Sequence, residues 1–198
     1  MRSFDIEARI ANPPEGLLAK YTRKEKDFFY DYAAFVQRLL TNPRVREQLR
    51  SLINREEIDP GRSIDLRIMV FPARPLTGRP LNTLHGSYNH DSSQISLYPL
   101  KLPREWIRRE GFGLFKTVPQ QLSKSQETAL REMLVSAVST LIHEVLHVKF
   151  ENRQMPRYVE EAIVRKLEKK YAEEWFTKLV QSQASLYFRQ PTPTNSDV

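Results

Sequence analysis

The sequence contains no cysteine. That excludes disulfides, a thiol nucleophile and every cysteine-ligated zinc or iron–sulfur centre. Histidine is scarce, four residues in 198, so a site built on imidazoles has few positions to draw on. Long hydrophobic runs are missing as well. The most apolar stretch, Leu134 to Ile142, is broken by Ser136, Ser139 and Thr140 and is too short to cross a bilayer. The N-terminus alternates charged and apolar residues and lacks the continuous apolar segment of a signal peptide. These absences point to a cytoplasmic chain with no membrane partner.

What is present suits a folded domain. At 198 residues, 40% hydrophobic and 28% charged, the chain can bury a core without covalent staples and is too apolar for wholesale disorder. Its net charge of +7 is uneven. Residues 1–63 hold 12 basic and 10 acidic groups, residues 64–124 hold 9 and 4, and residues 125–198 hold 10 and 10. A basic middle third attracts polyanions. A solvated arginine-rich surface explains the same excess, so nucleic acid is the weaker partner class.

Hydrophobic spacing organises the chain. Ser3 to Ile10 alternates as a strand and stops at Asn12-Pro13-Pro14. Lys24 to Leu40 has helical spacing, and Pro43 restarts a shorter helix through Leu52. Ile64 to Phe71 reads as a strand, residues 72–93 as loop or irregular hairpin, and Gln94 to Tyr98 as a short strand. A helical piece at Arg104 to Arg109 precedes a break at Gly111-Phe112-Gly113, and residues 99–124 are expected to form a loop or lid. Ser123-x-x-Gln126 has capping-box form and opens the longest helical signal, to about Lys149. Pro156 opens another helix, to about Leu179. Residues 1–63 are expected to pack on a 64–180 core, with 181–198 a tail whose end is disordered.

The chemistry concentrates in His143-Glu144-Val145-Leu146-His147, an HExxH motif inside the long helix. Residues i and i+4 lie one turn apart on one face, so both imidazoles can address one metal ion. Glu144 is rotated by about 100° from His143, which keeps it from ligation while leaving it within reach of a water to activate. A third ligand can come from Glu160 or Glu161 on the next helix. Glu160 shares an apolar stripe with Val164, Leu167 and Tyr171, where an ionised carboxylate needs a partner. Glu161 stands four residues before Arg165 and is equally readable as half of a surface ion pair. For an oxyanion-stabilising group the first candidate is Tyr158, with His85, Tyr88 and His90 behind it.

HEVLH followed by Tyr158-Val159-Glu160-Glu161-Ala162-Ile163 resembles the gluzincin group of zinc metallopeptidases, which is thermolysin-like in motif. The short connection is similar to the compact, minimal members of that group, and the resemblance spans about residues 86–175. It implies Zn²⁺ held by His143, His147 and Glu161, with Glu144 as general base. It also implies an α+β, zincin-like fold with a small mixed sheet, a long active-site helix and a C-terminal glutamate helix. Gly86 to Leu97 resembles the hairpin and edge strand that zincins run above the active-site helix, where an extended peptide or protein substrate binds by strand addition. One departure stands out. Many gluzincins place an aspartate four residues after the ligand glutamate to orient a zinc histidine, and here that residue is Arg165.

The expected activity is therefore zinc-dependent endopeptidase hydrolysis, with Glu144 deprotonating a water that zinc acidifies. Three alternatives accompany it: a regulatory protease specific for one protein partner, a DNA-associated zincin, and a zinc-binding zincin fold without turnover. DNA-associated proteases of this type generally use a third histidine, and none follows His147.

Overall fold

The computed structural model describes residues 6–12, 16, 18–59, 63–70, 85–99, 102–116, 121–151 and 153–188. The expected disordered end of the tail and most of the expected 72–93 loop lie outside these residues. The architecture is α+β: a four-stranded mixed sheet with helices packed on it. Strands β1 (Ile6–Ala11), β2 (Ile64–Met69), β3 (Gly86–Asn89) and β4 (Gln94–Leu97) lie in the order β1-β2-β4-β3. The first three in that order are parallel, and β3 runs antiparallel to β4. The edge beside the later helices is consequently β3. Gln94 to Leu97 is interior, which narrows the edge expected within Gly86 to Leu97 to its first half.

Period-two patterning decides which face of the sheet is apolar. Ile64, Leu66, Ile68, Ile95 and Leu97 are buried on one face, and the register puts Gly86 and Tyr88 with them. The other face carries Arg9, Asp65 and Arg67, with Asp65 accepting from both guanidinium groups. Helix α1 (Arg23–Thr41) lays Phe28, Phe29, Tyr32, Phe35 and Val36 into the core, and α2 (Pro43–Arg55) adds Val45, Leu49 and Leu52. α4 (Lys124–Val148) buries Leu130, Met133, Ala137, Leu141 and Val145. Its Ser123–Gln126 capping box forms in both directions, as the sequence predicts.

Between β4 and α4 lie a single turn, α3 (Arg104–Trp106), and a π-helical turn from Ile107 to Gly111. This stretch is fastened to α1 rather than free to act as a lid. Arg104 and Arg108 bind the carboxylate of Glu25, and Phe115 packs against Phe28, Tyr32 and Phe35. Trp106 meets Phe28 edge-on, so these aromatics belong to the core. The last helix, α5 (Arg157–Phe188), continues nine residues beyond the expected Leu179. No helix among the described residues is long and apolar enough to cross a membrane.

Two carboxylates, Glu25 buried and Glu56 partly buried, tie the N-terminal helices to the rest. Glu25 caps α1 through the Thr22 amide while accepting from Arg104 and Arg108, and its side chain is fully buried. The Arg104 hydrogen bond outweighs burial and, with the Thr22 bonds, holds its pKa at about 2. At the end of α2, Glu56 accepts from Lys149 Nζ at 2.6 Å and from the Tyr171 hydroxyl, joining α2 to the end of α4 and to α5. Burial and Glu56 together push Tyr171 up to about 12.

Glu25→Ala is expected to cost about 1 kcal/mol, because it removes half of a capping box and the carboxylate that gathers two half-exposed arginines onto α1. A carboxylate held at about 2 in the folded state and near its model value of 4.5 when unfolded favours the unfolded chain's protonation as pH drops. Its stabilisation is therefore complete above pH 4.5 and is lost as pH falls from there toward 2. Urea unfolding of wild type and Glu25→Ala across that range should show the difference shrinking with acidity.

Candidate metal centre

α4 carries the HExxH motif in its last two turns, and α5 packs across it. His143 and His147 stand one turn apart, with their Nε2 atoms 3.1 Å from each other. Glu161 faces both: one carboxylate oxygen is 3.7 Å from His143 Nε2, the other 3.6 Å from His147 Nε2. The potential ligand atoms of these three residues all lie within 4.8 Å of one another, a group that could hold a metal ion. Glu161 also lies 3.8 Å from Arg165 Nε, the i,i+4 ion pair expected at that spacing.

The far side of each imidazole is held by its own carboxylate. Glu168 Oε2 is 2.9 Å from His143 Nδ1, and Glu160 Oε1 is 2.6 Å from His147 Nδ1. An ionised carboxylate can only accept, so each Nδ1 carries the proton and each Nε2 presents a lone pair inward. Two lone pairs 3.1 Å apart, facing a third acceptor on Glu161, repel unless a positive charge lies among them. A proton or a metal ion supplies it. Carboxylate–histidine pairing of this kind fixes ring orientation and raises ligand basicity in metal sites.

Glu160 on the apolar stripe does have the partner its position demands, but that partner is an imidazole. Glu168, seven residues after Glu161, is the carboxylate partner of His143, while Arg165 pairs with Glu161. It was missed because it has no fixed offset in a familiar motif. The signal was available: residues seven apart sit two turns along one helix face, so Glu161 and Glu168 form one acidic stripe.

Burial and neighbours set the protonation of the group. Glu144 is 6% exposed, and burial, opposed by His143 and helped by Glu161, pushes its pKa up to about 7. Burial works against charge on His143, yet Glu168 and the surrounding carboxylates overcome it and the net shift is upward. For His147 burial prevails over Glu160, and the shift is downward.

Tyr158 is 76% exposed, one turn before Glu161 on α5. His85 precedes β3 with its Nδ1 unpartnered among the described residues, and burial lowers its pKa. Tyr88 and His90 pack ring to ring. Among the described residues neither His85 nor His90 joins the His143–His147–Glu161 group. Part of the basic excess is also neutralised locally: Arg67, Arg104, Arg108 and Lys116 each pair with a carboxylate.

Calorimetric titration with Zn²⁺ or Co²⁺ should show one site in wild type and none of comparable affinity in Glu161→Ala. Glu160→Gln and Glu168→Gln are expected to bind about 10–100-fold more weakly while keeping the stoichiometry. Loss of the site in Glu160→Ala with retention in Glu161→Ala would exchange the roles of the two glutamates.

Set against protein-family models, curated proteins and solved structures, the chain matches none of them, and the reading of this centre rests on its own geometry.

Proposed function

We propose that the chain is a zinc-dependent metallopeptidase. The observation that carries this reading is the convergence of two imidazole Nε2 atoms and the Glu161 carboxylate on one point, with each Nδ1 anchored by a different carboxylate. Two nitrogens and one carboxylate oxygen form the donor set of an open catalytic zinc site, which leaves a position for water or substrate. Zinc there supplies Lewis acidity toward a peptide carbonyl and toward water.

The chain's own residues do the rest. Glu144 is buried and lies beside the ligand pair without belonging to it, the relation to a metal-held water that a general base needs. Its carboxylate takes a proton from the attacking water and returns it to the departing amine. Glu168 and Glu160 hold the Nδ1 protons of His143 and His147, which leaves each Nε2 lone pair turned toward the centre. β3 offers an extended substrate its outer edge, where main-chain pairing gives affinity with little demand on side chains.

On an unstructured peptide mixture, zinc-loaded wild type should cleave internal bonds. Glu144→Ala should retain one zinc per chain and cleave about 100-fold or more slowly. A wild-type chain that carries zinc and cleaves nothing, across peptides and unfolded proteins, would mark the centre as zinc-binding without turnover.

A further inference from the structure

One cation stands among the residues that make the metal centre. Arg165 follows Glu161 by four residues on α5 and precedes Glu168 by three, so the three share one helix face. Glu161 and Glu168 both reach His143, one toward its Nε2 and the other at its Nδ1. Arg165 is therefore rooted between two residues that converge on a single imidazole.

The centre itself does not account for an arginine there. Orienting an imidazole is a task for an acceptor, and Glu168 and Glu160 already perform it at 2.9 and 2.6 Å. A guanidinium has no acceptor atom to offer. The one ion pair of Arg165, from Nε to Glu161 Oε2 at 3.8 Å, is long and exposed on the arginine side, and such pairs contribute little to stability. Toward a metal held by Glu161 the charge is adverse, because a fixed cation beside a ligand carboxylate repels a second cation. Residues that break a local rule in this way belong to functional sites, where another demand outweighs the cost.

The exposed end of the side chain fits a carboxylate. Arg165 is 76% exposed against 28% for Glu161 and 19% for His143, so its guanidinium stands at the rim of the centre. It makes no hydrogen bond among the described residues. A planar fork of donors turned to solvent matches the two oxygens of a carboxylate. Glu160, Glu161 and Glu168 give the rest of this helix face the opposite charge. An anionic group arriving at α5 beside the metal ligands thus finds Arg165 as its cation.

We infer that Arg165 is a specificity-determining residue that binds a carboxylate of the substrate, an acidic side chain near the scissile bond or a free C-terminus. This rests on the peptidase reading. The bound carboxylate also neutralises the cation next to the metal, so substrate and metal favour each other's binding.

Peptide binding to the zinc-loaded chain carrying Glu144→Ala tests this without turnover. The probes are fluorescently labelled alanine peptides: a C-terminal amide, its free acid, and amides with one internal glutamate or glutamine. By fluorescence anisotropy, an acidic form should bind about tenfold more tightly than its neutral counterpart. Adding Arg165→Gln should abolish that preference, and adding Arg165→Lys, which keeps the charge but not the fork, should retain part of it. Comparing residue and ligand together forms a double-mutant cycle, in which any general weakening cancels. Preference for free acid over amide identifies a C-terminus, and preference for glutamate over glutamine identifies a side chain. Equal binding of acidic and neutral forms, a preference that survives Arg165→Gln, or binding of none of the peptides overturns the inference. Cleavage by wild type with no acidic preference overturns it as well, and leaves the peptidase reading standing.

Zinc titration guards against a supporting role. Arg165→Gln should bind Zn²⁺ as tightly as wild type or more so. An affinity about tenfold lower or worse, the size of effect seen when a partner of a metal ligand is lost, would assign Arg165 to the metal centre instead of the substrate.

Discussion

An ionised carboxylate at a helix–helix interface costs several kcal/mol unless something answers its charge. Here Glu160, Glu161 and Glu168 all face α4 from α5, with Glu144 a fourth nearby. Two imidazoles answer them, each taking one carboxylate on Nδ1 and sharing the third on Nε2. The arrangement is only as good as the placement of α5 against α4. The apolar residues between the acidic positions secure that placement: Val164 and Tyr171 are buried on the same helix.

The N-terminal helices contribute at a distance. Glu56 joins the end of α2 to Lys149, two residues past His147, and to Tyr171 on α5. One partly buried carboxylate thus ties the end of α2 to both helices of the centre. Glu25 does the same for the segment ahead of α4, gathering Arg104 and Arg108 onto α1, while Gln126 binds the carbonyl of Glu110. Each brace satisfies a buried charge with hydrogen-bonded partners, the condition under which such pairs resist disruption.

The helices were legible in the sequence because their apolar residues recur at helical spacing and their caps are local. Ser123 and Gln126 are three residues apart and specify the start of α4 without reference to anything distant. HExxH was legible for the same reason, since His143 and His147 share a face by helix geometry alone. What could not be read was pairing between elements. Glu160 needed a partner, and the stripe said so, but only the packing of α5 names His147 as that partner. The roles of Glu168 and Glu56 are likewise set by neighbours 25 and 93 positions away. The segment at 102–116 had the proline and glycine content of a loop, yet Glu25 and the Phe115 ring contacts hold it down. Chain-local composition carries no record of such long-range anchors.

Because all three carboxylates ride on one helix, they move as a unit. An axial slip of α5 by a single turn, about 5.4 Å, removes the shared acceptor and both Nδ1 anchors in the same motion. Ligation and helix docking are then one equilibrium seen from two sides. An ion bound at that point raises the stability of the α4–α5 pair by the free energy of its own binding, and a chelator that strips it loosens the last helix as well as the site.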